Sequence, residues 1–190
     1  MSEPAIPAEA PVLENDVVRL RAVRPDDADA MTAGLADLST SRWMGSIPYP
    51  YPHEESLKWI DDAPAAWKRN VFFFAIADAA TDTFLGEAGL IGYDVANARA
   101  ELSYWVMPDA RGKGVARDAA TLLARWGFEV LQLARIDWAA VVGNDASRAV
   151  AEAVGFHYEG LRRSWLRRQY DDSRHDAWVM GLLRDEFTAR

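Results

Sequence analysis

Two glycines and two cations stand together at Arg111-Gly112-Lys113-Gly114, followed by Val115 and Ala116. An apolar-aromatic run ending at Val106 leads into this stretch, and helical periodicity begins directly after it. At a strand-to-helix turn the first helical amides have no intrahelical partners and lie at the positive end of the helix dipole, so they form an anion site. Gly112 and Gly114 lack a Cβ and let the backbone approach a phosphate closely. No Lys-Ser/Thr pair follows a GxxxxG here, which excludes a nucleotide P-loop. The third glycine and βαβ setting of a dinucleotide fingerprint are also missing. An ordinary exposed basic turn is the alternative reading of these residues.

The other residue types narrow the chemistry. The 190 residues include no cysteine, which removes disulfides, thiolate metal sites and a cysteine nucleophile. His53, His157 and His175 are scattered without ligand spacing, so no metal is expected. A net charge of −8 argues against a nucleic-acid partner and mildly suits cationic acceptors. No run approaches a membrane span and the first residues do not form a signal peptide, so the cytoplasm is the expected location. Eight tryptophans is a high count, and most belong in a core. Trp43 and Tyr49 lie in a Pro-aromatic loop over 39–52 that could wall an acceptor pocket. Tyr104 and Trp105 point to opposite faces of a strand, so one is expected in the core and the other, taken as Trp105, in that pocket. The arginines at 162, 163, 167, 168 and 174, interspersed with aspartates, read as a solvated face or as charge beside a cleft.

The elements that must position these groups follow from periodicity. Residues 1–11 read as a disordered Pro/Ala/Glu lead-in, and 12–190 as one domain. A strand is expected over 17–23, and a helix from Pro25 to about residue 38 with Asp26, Asp27 and Asp29 near its positive end. A second helix over 54–68 is kinked or split by Pro64. Strands over 71–77, 84–93 and 100–106, separated by short polar turns, make an antiparallel meander. Val115, Ala119, Leu122, Leu123, Trp126 and Val130 form the apolar stripe of a helix packed on a sheet. A strand over 136–142, a short helix ending at Gly155, and strands over 156–166 and 175–183 complete the chain. The order β-α-α-β-β-β-α-β-α-β-β predicts an α/β (α+β) fold, with a mixed, mostly antiparallel sheet of about seven strands and helices on both faces.

This order, with Arg-Gly-Lys-Gly-Val-Ala opening the helix after the fourth strand, resembles the GNAT superfamily of acyl-CoA-dependent N-acetyltransferases. Asn144-x-x-Ser147 followed by Gly155-Phe156 matches the second half of that pattern. Ala100-Glu101-Leu102-Ser103-Tyr104-Trp105-Val106, Glu159-Gly160, Asp176 and Leu182-Leu183-x-x-Glu186 resemble the ribosomal-protein N-terminal acetyltransferase (RimJ/RimL) branch. The likeness spans roughly residues 15–187.

The resemblance implies that the fourth and fifth strands splay apart and that acetyl-CoA is the co-substrate. The backbone of Arg111, Gly112, Lys113, Gly114, Val115 and Ala116 would cradle its pyrophosphate, backbone groups near Val106 would bond the acetyl carbonyl, and Asn144 would contact the pantetheine. Asn144 could equally serve only as a helix cap. Glu101 stands where a carboxylate base serves in several relatives, although it could instead pair with an arginine. The slot of the family's usual tyrosine acid falls on Ala151, a departure from that pattern. The resemblance to the RimJ/RimL branch implies that the Ser147 hydroxyl serves near the sulfur instead, although Ser147 could equally be only a cap or a coenzyme contact. The expected function is acetyl transfer to a primary amine, a protein or peptide N-terminus or a small amine. Alternatives are an antibiotic, polyamine or aminoacyl acceptor, or a non-catalytic acyl-CoA-binding module. A homodimer is allowed by analogy only.

Overall fold

The computed structural model describes residues 6–45, 47–169 and 171–188. Its strands are β1 (Leu13–Glu14), β2 (Val18–Arg21), β3 (Phe72–Asp78), β4 (Phe84–Asp94), β5 (Arg99–Val106), β6 (Arg135–Val141), β7 (His157–Arg167) and β8 (Arg174–Leu183). They lie side by side in the order β1-β2-β3-β4-β5-β6-β8-β7. Every neighbouring pair is antiparallel except β5 and β6. The helices are α1 (Ala28–Ala36), α2 (Leu38–Ser41), α3 (His53–Lys68), α4 (Val115–Glu129) and α5 (Asp145–Val154).

Strand alternation sorts the sheet's side chains into two cores. Phe72, Phe74, Leu90 and Leu102 point to one face and meet Ala119, Leu123 and Trp126 of α4, whose apolar stripe lies where its spacing predicts. Helix α5 packs beside α4 and adds Ala151 and Val154 to this core. Ala75, Phe84 and Trp105 point to the other face and are covered by Met31 and Leu35 of α1 and Ile60 of α3. Among the described residues, no helix is long and apolar enough to cross a membrane.

Four local features differ from expectation. The sheet has eight strands, because Leu13–Glu14 adds a two-residue edge strand on β2. The disordered lead-in shortens: residues 6–11 carry no regular structure, but Ile6 and Ala10 pack on the core and the Trp67 indole donates to the Pro7 carbonyl at 2.7 Å. Residues 1–5 of that expected lead-in lie outside the described residues. Helix α3 runs unbroken through Pro64, since burial of Ile60 and Trp67 on either side carries the loss of one backbone bond. The first helix stops at Ala36, and Asp37 then caps the separate turn α2 by accepting from the Ser39 amide.

Asp27 stands at the N-terminal end of the first helix, as the acidic run suggested, and has a second role that the run did not indicate. It is buried and takes a two-bond fork from Arg21, at 2.8 and 2.9 Å, and accepts from the Arg24 amide at 2.8 Å. Both side chains of the pair are about 5% exposed, so neither charge has water to fall back on. This pair fastens the start of α1 to β2. Asp27→Ala should therefore destabilise the fold by about 3 kcal/mol in urea denaturation, because the buried guanidinium loses its two-bond fork and keeps only Asp82 as counter-ion. A loss below about 1 kcal/mol would contradict that role.

Candidate active site

Strands β5 and β6 are paired only where Arg99, Ala100 and Glu101 meet Arg135, Ile136 and Asp137. Beyond those rungs the strands diverge. Residues 102–106 keep β4 as their only strand neighbour, and 138–141 keep only β8. The open inner edges carry backbone donors and acceptors with no strand partner, and a cleft of about 850 Å³ fills the gap. Val106, Gly112, Gly114, Val115, Ala116, Asn144 and Ser147 all line it, so the structure brings together most of the residues expected to hold a coenzyme. Lys113 is in the same turn but does not line the cleft.

The turn before α4 has the form an anion needs. Gly112 and Gly114 take φ of +71° and +83°, which side-chain-bearing residues rarely adopt. Gly114 is the N-cap of α4 and supplies no side chain, so nothing local caps the first-turn amides. Arg111 also lines the cleft and makes contacts within the fold. Its amide donates to the Pro108 carbonyl at 3.3 Å, and its guanidinium donates to Ser39 Oγ at 2.8 Å and Thr40 Oγ1 at 2.6 Å. It therefore ties α2 down as a wall of the cleft. Arg117, which no sequence pattern marked, lines the cleft and bonds Asp118.

Glu101 stands at the closed end of the cleft, beside the last rung shared by β5 and β6. Burial and the nearby Asp137 charge raise its pKa above the ordinary carboxylate value, and Arg162 partly offsets them. Among the described residues no arginine pairs with it; Arg135 binds Asp137 and Glu159 instead. Across the cleft, the Ser147 hydroxyl donates to Tyr104 Oη at 3.1 Å, and Tyr104 donates to the Ser147 carbonyl at 2.8 Å. Burial pushes the Tyr104 phenol up to about 12, so it keeps its proton. Asn144 does cap α5, its Oδ1 accepting from the Ser147 amide at 3.4 Å, while also lining the cleft. Ala151 is fully buried, so the tyrosine hydroxyl of this site comes from β5 rather than from α5.

The acetyltransferase (GNAT) domain family matches residues 18–157. The chain belongs to this GNAT acetyltransferase family. A Bacillus subtilis relative, which carries the provisional name ribosomal N-acetyltransferase YdaF, is 37% identical over 102 residues. That match covers 54% of this chain and 55% of YdaF, so the chain spans about half the length of that relative. The uncharacterized N-acetyltransferase p20 of Bacillus licheniformis is 26% identical over 177 residues, covering 92% of this chain and 97% of p20. Among solved structures, Mycobacterium smegmatis RimJ in complex with CoA-disulfide superposes with a TM-score of 0.79 at 25% identity, covering 97% of this chain and 91% of that one.

In this GNAT acetyltransferase the expected acceptor-side residues part company. Trp43 lines the cleft with the Arg42 guanidinium 4.8 Å from its ring, whereas Tyr49 is 38% exposed and lines neither cavity. Leu166 and Arg167 bring the arginine-rich hairpin to the cleft wall. Trp105 is buried beneath α1 at Gly34, yet it borders both the cleft and a smaller cavity of about 310 Å³ on the α1/α3 side. The smaller cavity exposes a group that nothing in the sequence marked, Glu87 of β4. One of its oxygens accepts from the Trp59 indole at 2.6 Å and the other from the Trp105 indole at 3.1 Å. Burial lifts its pKa to about 7 from an ordinary 4.5, against the two indole bonds that favour the ion.

That shift fixes a pH dependence. The folded chain holds the Glu87 proton more tightly than the unfolded chain, so the stability it contributes is complete below about pH 4.5. It is lost as pH rises to about 7, by on the order of 3 kcal/mol. Urea denaturation of wild type and Glu87→Gln at pH 5 and pH 8 should show the wild type losing that amount relative to the variant. Parallel profiles would contradict the burial of an ionisable Glu87.

Proposed function

We propose that this acetyltransferase takes the acetyl group from acetyl-CoA and delivers it to a primary amine by direct attack on the thioester. The observation that carries the reading is one cleft holding both an uncapped helix N-terminus and two unpaired strand edges. The first-turn amides from Gly112 to Ala116 suit a pyrophosphate, and the slot between β5 and β6 suits an extended amide-bearing arm lying as a pseudo-strand. Backbone groups near Val106 would polarise the acetyl carbonyl as an oxyanion site. The solved RimJ relative in complex with CoA-disulfide supports the same occupant here.

Glu101 is the proposed base. Its raised pKa keeps it basic enough to receive the amine proton, directly or through water, as the C–N bond forms. Ser147 and Tyr104 are the proposed donors to the thiolate released when the C–S bond breaks, because both hydroxyls are protonated and hydrogen-bonded to each other. The name of one relative, ribosomal N-acetyltransferase, supports a ribosomal acceptor, and we take a protein N-terminus as the first reading. A small amine is the second reading, favoured by the confined size of the cavity beside Trp105. The cytoplasm is the proposed compartment.

Thiol release from acetyl-CoA, measured with Ala-, Ser- and Met-initiated peptides and with simple amines, tests this function. Glu101→Gln should lower kcat on the order of 100-fold, and Ser147→Ala and Tyr104→Phe each about tenfold. The acid limb of the wild-type pH profile should vanish in Glu101→Gln. An unchanged kcat for that variant between pH 6 and 9 would remove Glu101 from the chemistry.

A further inference from the structure

Glu87 is 5% exposed, and both of its hydrogen-bond donors are neutral indoles. Among the described residues no Lys, Arg or His pairs with it. Lys58, the cation lining the same cavity, pairs instead with Asp62 at 3.6 Å where both are well exposed. A buried carboxylate without a counter-ion is costly, and an apolar residue would fill a packing role better. An ionised carboxylate offers about four acceptor positions, and the indoles use two of them.

The surroundings indicate what completes the set. Tyr51, Trp59, Phe73 and Trp105 line the cavity, and aromatic faces attract cations. Glu55 and Asp62 also line it and add negative charge. Glu87 pairs in register with Trp105, and the next rung joins Gly86 to Val106, the end of β5 where the cleft is open. That rung is close because Gly86 has no side chain: a Cβ there would lie 2.2 Å from the Trp105 carbonyl oxygen. Ser103, Tyr104 and Trp105 border both the cavity and the cleft, so the two spaces adjoin. Glu101 projects from the same sheet face, on the neighbouring strand and four positions along, about 14 Å from Glu87 between Cα atoms.

We infer that this smaller cavity seats the acceptor and that Glu87 is its anionic anchor, receiving a protonated amine of the acceptor other than the nitrogen that is acetylated, with an apolar stem among Trp59, Tyr51 and Phe73. That the bound molecule is the acceptor rests on the acetyl-transfer reading; that an organic ammonium binds here does not. The Trp59 and Trp105 indoles aim the carboxylate and hold it as the charge that selects a cation over a neutral isostere.

Tryptophan fluorescence titration at pH 8 with phenethylamine, a primary ammonium on an apolar stem, and with its uncharged counterpart 2-phenylethanol tests the anchor. Acetyl-CoA is titrated calorimetrically into the same proteins. Wild type should bind phenethylamine at least tenfold more tightly than the alcohol, and Glu87→Gln should abolish that preference with acetyl-CoA affinity unchanged. Trp59→Phe, which keeps the carboxylate, should retain the preference. Should Glu87→Gln fail to fold by circular dichroism, Glu87→Asp takes its place and is expected to weaken the amine at least threefold. Equal binding of the two probes by wild type, no phenethylamine binding at tens of millimolar, or a preference that survives in the Glu87 variant would overturn the anchor. Amine binding without acetyl-CoA binding would overturn the acetyl-transfer reading alone, and the reverse would overturn the anchor alone.

Discussion

Strand β5 is held by β4 along its length and β6 by β8 along its own, yet the two inner strands share only three rungs. Each strand is pinned on its outer edge and released on its inner one. The sheet therefore opens from Leu102 onward without losing its continuity, and the backbone groups that a closed ladder would consume stay available. Tyr104 spans the opening to reach α5 through Ser147, so the gap is bridged by hydroxyls rather than filled. The cleft follows from this divergence, and Gly114, with no side chain to cap α4, leaves the first-turn amides open beside it.

Charge is then used mainly to hold walls in place. Arg21 with Asp27 fixes the start of α1, and Arg111 fixes α2 against the turn that precedes α4. Arg135 occupies Asp137 and Glu159, which leaves Glu101 without a direct cation partner at the closed end of the cleft. Glu87 and Glu101, neither of which has an ion-pair partner among the described residues, lie on the same sheet face and both have raised pKa values.

Much of this was legible from residue order. The stripe from Val115 to Val130 and the polar turns of the meander specify elements that the structure reproduces to within a residue or two, because local periodicity decides them. The glycines of the α4 turn were legible because positive φ leaves few other choices. β1 was not, since two residues carry no period and only pairing with β2 defines it. α2 was obscured by its polar composition, although Asp37 two residues before Ser39 is a capping signal. The contacts of the Arg111 side chain were not legible, because a basic residue in a glycine turn gives no hint that hydroxyls some 70 residues away will take its guanidinium. Glu87 was invisible for the same reason. In a strand of small residues it reads as an outward charge, and its meaning comes from indoles 28 and 18 residues distant.

Calorimetric titration of acetyl-CoA into wild type and into Gly114→Trp bears most directly on the central claim, that the divergent strands and the α4 turn together form the coenzyme seat. At Gly114 the backbone is left-handed and the first-turn amides begin, so a large side chain there obstructs the cradle while leaving both cores untouched. Micromolar one-to-one binding by wild type, weakened at least a hundredfold in a variant that still melts cooperatively, is the predicted result. No binding by folded wild type, or equal binding by both proteins, would contradict it.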